Sequence, residues 1–337
     1  KILIYIKINM KLVIILLIAI LILIIAIIVQ NKNQQQLNEG FKNNSRKKIS
    51  FLVQHQVCNI IRTDVKYFEN LTEIDKLARQ KLLGGDIPEN TDEIIKTYCY
   101  QIENFSDENK ELINNTLKRI EYKNKILFSE WSIARVSEAI EDGYPHTHKN
   151  TIFISEEYIN SNRSTLLNTL IHEQIHVCQR KHERLFTKLY LEYFPFKQGR
   201  LKLNKETSKF IRANPDTEFN KNKEFLYVEK NGEVESYYYL CALYNSIMPT
   251  DLGDVNYAAI KCNYDEKTDT YTETETIVEI TELPGFKYYF NISVNHYHPN
   301  EISAHLIAEY YTTENPDPKK MSPALKSIEK WLNEEVI

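Results

Sequence analysis

This chain of 337 residues has no excess of positive charge. Lysine and arginine number 42 against 46 aspartate and glutamate residues, so the formal net charge is -4. A surface without a basic field does not attract polyanions, and nucleic acid is therefore not an expected partner. Hydrophobic residues make up 42% and charged residues 26% of the chain, which is the balance of an ordinary globular protein with a core.

Closely spaced cysteines are lacking too. None of the five cysteines stands in a C-x-x-C pattern: Cys58, Cys99, Cys178, Cys241 and Cys262. This spacing excludes a cysteine zinc ribbon and an obvious redox pair. Cys178 follows a histidine by two positions, but on a helix it would point toward the apolar face, so we predict a buried thiol there. No internal repeat is visible.

One long apolar run stands near the start of the chain. Residues 12–29 are 18 uncharged residues, almost all leucine, isoleucine, valine or alanine. A spanning helix needs about 17–25 such residues, whereas the apolar core of a signal peptide has about 7–15. We therefore predict a transmembrane helix at 12–29 after a flank at 1–11, and a single-pass membrane protein. Lysines flank both sides of the run, so the orientation stays open, and several N-glycosylation sequons favour a lumenal or external domain.

The rest of the chain divides by composition into three parts. Residues 30–48 are rich in asparagine, glutamine and lysine and predict a flexible polar stalk. Residues 49–125 show apolar residues at helical spacing and predict a helical segment of unknown role. Residues 126–337 mix strand and helix patterns and hold the candidate site, so we predict one catalytic domain there.

Within 126–337 the patterns change from strand to helix and back. Alternation predicts strands at 131–136 and 151–155, and apolar residues at helical spacing predict a helix that begins at Ser161 or Ser164 and runs through Arg180. Tyrosine and β-branched residues predict further strands within 224–294. Helical spacing returns at 301–311 and 323–335.

His172, Glu173 and His176 form an H-E-x-x-H pattern on the predicted helix. Histidines four residues apart lie about 40° from each other around a helix, so both can bind one zinc ion, with Glu173 beside the open coordination position. Such a zinc ion activates water, and the glutamate takes up its proton. The alternative is a helix with two histidines that face solvent.

A catalytic zinc needs a third protein ligand, and Glu301 is the main candidate. Glu301, Ala304 and Ala308 share one helix face, and the small alanines would let this helix lie close to the His172 helix. His296, His298 and Glu309 are alternative ligands. His305 could orient a zinc-binding histidine, bind the metal, or pack in the core.

Glu-x-x-Ala-x-x-x-Ala and the pair Asn300-Glu301 resemble the second-helix signature of gluzincins, a class of H-E-x-x-H zinc peptidases. The resemblance implies that His172, His176 and Glu301 bind zinc and that Glu173 is the general base. It also implies an α+β, zincin-like domain with a small sheet whose edge strand is 151–155. The sequence departs from the pattern at His305, where aspartate is common. A spacer of 125 residues separates His176 from Glu301 (301 minus 176) and predicts a β-rich insertion.

These observations predict a membrane-anchored zinc metallopeptidase that hydrolyses peptide bonds in a protein or peptide substrate. Zn2+ is the expected cofactor, and the N-terminal helix provides the contact with the membrane. Tyr297, His298 and His146 are candidate donors to the oxyanion of the reaction. The alternatives are a non-catalytic, zinc-stabilised protein of a membrane or virion surface, and an interaction domain without metal.

Overall fold

The structure is a computed structural model that describes residues 48–83, 90–120, 124–217, 223–294, 296–313 and 320–336. Residues from Lys48 onward belong to one compact unit. The helices, in chain order, are α1 Gln54–Thr63, α2 Val65–Glu69, α3 Glu73–Ala78, α4 Gln80–Leu83, α5 Thr91–Tyr100, α6 Asp107–Leu117, α7 Lys125–Phe128, α8 Glu156–Ile159, α9 Arg163–Lys181, α10 Glu183–Lys188, α11 Lys205–Phe210, α12 Pro284–Phe290, α13 Pro299–Thr312 and α14 Pro323–Glu335. The strands are β1 Lys48–Phe51, β2 Ile102–Glu103, β3 Glu130–Val136, β4 His146–His148, β5 Thr151–Ser155, β6 Phe196–Lys202, β7 Glu224–Asn231, β8 Val234–Tyr244, β9 Val255–Asp265 and β10 Thr270–Glu279.

The first sheet has five strands in the order β1-β3-β5-β4, with β2 paired to the far end of β3. The β1, β3 and β5 strands run parallel, whereas β4 and β2 are antiparallel to their neighbours. Residues from the N-terminal helices, including Val57, Ile61 and Tyr98, share a buried cluster with Ala134 and Phe153 of this sheet. The helical segment is therefore packed directly on the sheet that leads into the H-E-x-x-H helix.

The second sheet is closed, with the five strands in the order β10-β6-β7-β8-β9. Its pairings are antiparallel except for β6 with β10, which is parallel. This closed sheet occupies most of the chain between α9 and α13. Strands were expected in this region, and β7 to β10 confirm them.

The predicted fold class is wrong. An α+β, zincin-like domain with one small sheet and a β-rich insertion was expected, but the chain is mixed α/β with two sheets. The predicted edge strand is also wrong, because β5 lies between β3 and β4, and β4 is the outer strand. The β4 strand has three residues, too few to show an alternating pattern, so His146–His148 looked like part of a turn.

The membrane prediction needs correction as well. In the part of the chain that the structure describes, no helix is both long and apolar enough to cross a bilayer. The predicted flank at 1–11, the transmembrane helix at 12–29 and nearly all of the stalk at 30–48 lie outside the described residues, and Lys48 begins β1. The structure thus does not support a single-pass membrane protein.

Helices α9 and α13 pack against each other and form the base of the candidate site. The α9 helix begins after Asn162, whose side-chain oxygen accepts hydrogen bonds from the backbone N–H groups of the first turn. On α13, Ala304 and Ala308 are fully buried, as the close packing of the two helices requires. Cys178 is buried on α9, which confirms the prediction of a buried thiol.

Candidate metal centre

His172 and His176 lie one helical turn apart on α9, and both are buried. Their relative exposures are 8% and 1%, so they do not face solvent as an ordinary surface pair would. The two Nε2 atoms are 3.0 Å apart. Two unprotonated imidazole nitrogens so placed can bind one cation between them.

The carboxylate of Glu301 on α13 lies next to the two imidazole rings, although Glu301 is 129 residues after His172 in the chain. Its Oε2 lies 3.2 Å from His172 Nε2 and 3.6 Å from His176 Nε2. Ligands of a tetrahedral zinc with bonds of about 2.0–2.1 Å are about 3.3–3.4 Å apart. The three donor atoms therefore have the spacing and the chemistry of a zinc site.

A layer of hydrogen bonds orients these three side chains. His176 Nδ1 lies 2.9 Å from Gln179 Oε1, and the Gln179 amide in turn donates to the Asn300 carbonyl oxygen at 2.8 Å. If the acceptor is the Gln179 oxygen, Nδ1 carries the proton and Nε2 keeps its lone pair for a metal. Glu301 Oε1 accepts from Asn214 Nδ2 at 2.6 Å and from the Tyr297 hydroxyl at 3.2 Å, which turns Oε2 toward the histidines.

The charges around His176 favour a cation. Burial opposes protonation of His176, but the carboxylates of Asp216 and Glu301 outweigh it and raise the pKa of His176 to about 10. Burial lowers the pKa of His172. In Glu301, burial opposes ionisation, but His176 and His172 hold the pKa well below its usual range. The buried negative charge is of the kind that a divalent cation would balance.

Glu173 projects from α9 into the same space, and one of its two carboxylate oxygens has no hydrogen-bond partner among the described residues. It is 4% exposed, and its Oε2 is buried and unpaired among the described residues. Burial, followed by the charge of Asp216, raises the pKa of Glu173 well above its usual range. A buried carboxylate oxygen without a partner is costly for stability, and such groups are often found at functional sites.

The three donor atoms and Glu173 line a cavity of about 310 Å3, which we call the site cavity. Its other walls come from β4 and the residues before it, from β9 of the closed sheet and from connecting segments, and they include Tyr144, His146, Arg212, Leu252, Tyr257 and Tyr297. A volume of this size lies at the lower end of small-molecule ligand sites, which hold about 300–1,000 Å3.

Sequence reasoning missed the segment 212–216, which lines the site cavity. Asp216 lies close enough to Glu173 and His176 to form a second group of possible ligands with them. Its Oδ1 is already engaged, because it accepts from the Thr147 backbone N–H at 3.1 Å and from Arg180 at 3.2 Å. Asn214-Pro215-Asp216 indicates a turn in the sequence, but nothing in it indicates that the turn faces a metal site.

The other candidates from the sequence lie at different places. Tyr297 lines the site cavity, whereas His298 caps α13, where its Nδ1 accepts from the Asn300 N–H at 3.1 Å. Among the described residues, neither group of possible metal ligands includes His296, His298, His305 or Glu309.

His146 and His148 belong to a separate buried polar cluster. Both ring nitrogens of His146 are engaged, one with the Tyr144 carbonyl oxygen at 2.9 Å and the other with the Tyr98 hydroxyl. His148 Nδ1 lies 2.9 Å from Asp64 Oδ2. His146 therefore has no free nitrogen for an oxyanion, although its ring borders the site cavity.

No protein-family model, curated protein or solved structure matches this chain. The resemblance to gluzincins thus receives no support from known proteins, and no comparison places the chain in a metalloprotease family.

Proposed function

We propose that this chain is a zinc-dependent hydrolase of peptide bonds. The observation that supports the proposal is the convergence of His172, His176 and Glu301, whose donor atoms lie 3.0–3.6 Å apart, beside the buried carboxyl of Glu173. Two histidines and one carboxylate are a common ligand set of catalytic zinc, in which a fourth position stays open. Here the donor atoms border a cavity instead of being closed off by protein.

His172, His176 and Glu301 would hold the zinc ion. When bound, zinc supplies Lewis acidity that polarises a carbonyl group and makes water a nucleophile at neutral pH. Glu173 takes a proton from the attacking water at its carboxylate and then passes that proton to the leaving amine nitrogen. Its position suits this task, because Glu173 borders the same cavity as the three donor atoms.

Tyr297 and Asn214 act on the ligand Glu301 in this proposal. Both side chains hydrogen-bond Glu301 Oε1, so Oε2 remains for the metal. Because the Tyr297 hydroxyl is engaged with Glu301, we assign it to holding the ligand, and no oxyanion donor is assigned.

The test combines metal analysis with peptide hydrolysis by the purified chain. We expect about one zinc per chain, loss of activity on chelation, and recovery on addition of zinc. Glu173→Gln should retain zinc and lower kcat/KM by about 100-fold or more, since general-base catalysis contributes about 10²–10⁴-fold.

Full activity in Glu173→Gln would contradict the mechanism. Bound zinc without hydrolysis of any peptide would favour the alternative of a non-catalytic, zinc-stabilised protein. Absence of bound zinc would contradict both.

A further inference from the structure

Arg212 brings a permanent positive charge to the wall of the site cavity. Its Nη1 donates to the Leu252 carbonyl oxygen at 2.9 Å, and its guanidinium carbon lies 5.1 Å from the centre of the Tyr297 ring. Within the described ranges, no aspartate or glutamate forms an ion pair with it. A guanidinium has five N–H donors, so these contacts leave several donors for a ligand.

Apart from Glu173, the acidic residues that line the cavity face a positively charged or histidine side chain of the protein. Glu141 pairs with Arg79 at 2.9 Å, and Asp216 pairs with Arg180 at 3.2 Å. Glu301 faces the two histidines. Of the described residues that line the cavity, Arg212 is the one that is always cationic, and its charge is not matched by an acid.

Arg212 is also close to the candidate metal centre. The Tyr297 ring lies against the guanidinium, and the hydroxyl of the same tyrosine is 3.2 Å from Glu301 Oε1. One aromatic side chain therefore separates the guanidinium from the carboxylate that would hold zinc. Arg212 and the three candidate ligand residues thus line one cavity.

We propose that Arg212 binds a carboxylate of the substrate, so that the site selects peptides with a free carboxylate near the bond that is cleaved. The inference rests on the proposed function of the metal centre and adds the substrate class. Arginine suits this role because its planar fork matches a carboxylate with two parallel hydrogen bonds. The carboxylate belongs either to the C-terminus of a peptide or to an aspartate or glutamate side chain.

The first test compares matched substrates with the zinc-loaded protein. One pair is an N-acetylated tetrapeptide with a free C-terminus and its C-terminal amide, and the other is an N-acetylated, C-amidated tetrapeptide with glutamate or with glutamine. In at least one pair, the carboxylate form should have a kcat/KM about 10- to 100-fold higher, which is the range of a charge-assisted hydrogen bond. The pair that shows the difference identifies the source of the carboxylate. Equal values within both pairs would overturn the inference.

The second test removes the guanidinium. Arg212→Met should abolish the preference by lowering kcat/KM for the carboxylate substrate and leaving the neutral one nearly unchanged. Arg200→Met is the control, because Arg200 lies on β6 and bonds the Thr268 carbonyl oxygen away from the cavity. A preference that survives in Arg212→Met would overturn the inference. If that variant does not fold, the comparison of carboxylate and neutral substrates with the unmutated protein still tests the inference.

Binding without turnover separates this inference from the proposed function. The zinc-loaded Glu173→Gln protein is titrated calorimetrically with the better carboxylate peptide and its neutral partner, with and without Arg212→Met. Tight binding that depends on Arg212, together with no hydrolysis by the unmutated protein, would contradict the proposed hydrolase activity and support the carboxylate-binding role of Arg212. Hydrolysis of charged and neutral peptides at equal rates would support the proposed hydrolase activity and contradict the carboxylate-binding role of Arg212.

Discussion

Gln179 connects the two helices that carry the candidate metal ligands. Its oxygen faces His176 Nδ1 at 2.9 Å, and its amide nitrogen donates to Asn300 and Ser303 on α13 at 2.8 and 3.0 Å. It thus links His176, a candidate ligand on α9, to the helix that carries Glu301. The outer partners of metal-bound histidines commonly have this role.

We expect Gln179→Leu to lower zinc affinity by about 10- to 100-fold, as the loss of such an outer partner usually does. Gln174→Leu is a matched control, because Gln174 is also buried on α9 but donates to the Leu127 and Glu130 carbonyl oxygens. Competition with a chromophoric chelator measures the affinity. Equal losses in both variants would indicate a general effect on folding and would contradict the assigned role.

Glu301 is the predicted third ligand, and its replacement gives a direct test. Glu301→Gln keeps the size of the side chain and removes the charge, so zinc affinity should fall by at least 100-fold, or about 2.7 kcal/mol. Glu309→Gln on the same helix should leave the affinity unchanged. The reverse result would give the ligand role to Glu309, one of the alternatives that the sequence left open.

At the scale of elements, the distance between α9 and α13 sets the geometry of the centre. Ala304 is fully buried on α13, so a larger side chain there must displace a neighbour. We expect Ala304→Leu to lower the free energy of unfolding by about 1–3 kcal/mol and also to weaken zinc binding, since it moves Glu301 away from the histidines. Ala324→Leu on α14 is the control.

Ala324 is equally buried, so its enlargement should cost a similar free energy of unfolding and leave zinc affinity unchanged. Chemical unfolding and the chelator competition together check both variants. If Ala304→Leu lowers the free energy of unfolding but leaves zinc affinity unchanged, the close packing of α9 and α13 stabilises the core and does not position a metal ligand.

The helices of the site were predictable, and the sheets around them were not. Apolar residues at helical spacing indicated α9 and α14, and Ala304 and Ala308 indicated the close packing of α13. Helix signals are local and can be seen in a short window of sequence. The closure of the second sheet depends on the pairing of β6 with β10. This pairing places Arg200 opposite Thr270, 70 residues later in the chain (270 minus 200), and no local pattern specifies it.

The residues of the site that are close together in sequence were predictable, and those from distant segments were not. His172, Glu173 and His176 lie within five consecutive residues, and their spacing alone suggests one metal ion. Asn214, Asp216 and Arg212 reach the cavity from an irregular segment, whose position depends on contacts with distant residues. Such contacts leave no periodic signal in the sequence.

At the scale of the whole molecule, a buried network joins the N-terminal helices to the site. Arg79 binds both carboxylate oxygens of Glu141, at 3.1 and 2.9 Å, and donates to the Ala213 carbonyl oxygen at 3.1 Å. Asp75 accepts from the Ala213 N–H at 2.9 Å and from the Tyr244 hydroxyl at 3.0 Å. The helical segment therefore holds the chain just before Asn214, which gives this part of the protein a structural role at the centre.

Loss of Arg79 should be costly and should depend on pH. Arg79→Met leaves Glu141 buried without its cation, so we expect the free energy of unfolding to fall by about 3–5 kcal/mol at pH 7. Burial alone would raise the pKa of Glu141, but Arg79 outweighs it and lowers that pKa in the native protein. The stabilisation is thus present above the unfolded pKa of about 4.3 and is lost as the pH falls through the lowered native value.

In Arg79→Met the sign reverses, because burial then raises the pKa of Glu141 above its unfolded value, and protonation at low pH relieves the cost of the buried charge. The difference in free energy of unfolding between the variant and the unmutated protein should therefore be smaller at pH 4 than at pH 7. Urea unfolding at both pH values, with a chelator present throughout, measures it. Lys110→Met, which breaks an exposed pair with Asp107, should cost less than about 1 kcal/mol at either pH. If the difference in free energy of unfolding between Arg79→Met and the unmutated protein stays constant with pH, Arg79 stabilises the protein through its packing and not through its charge.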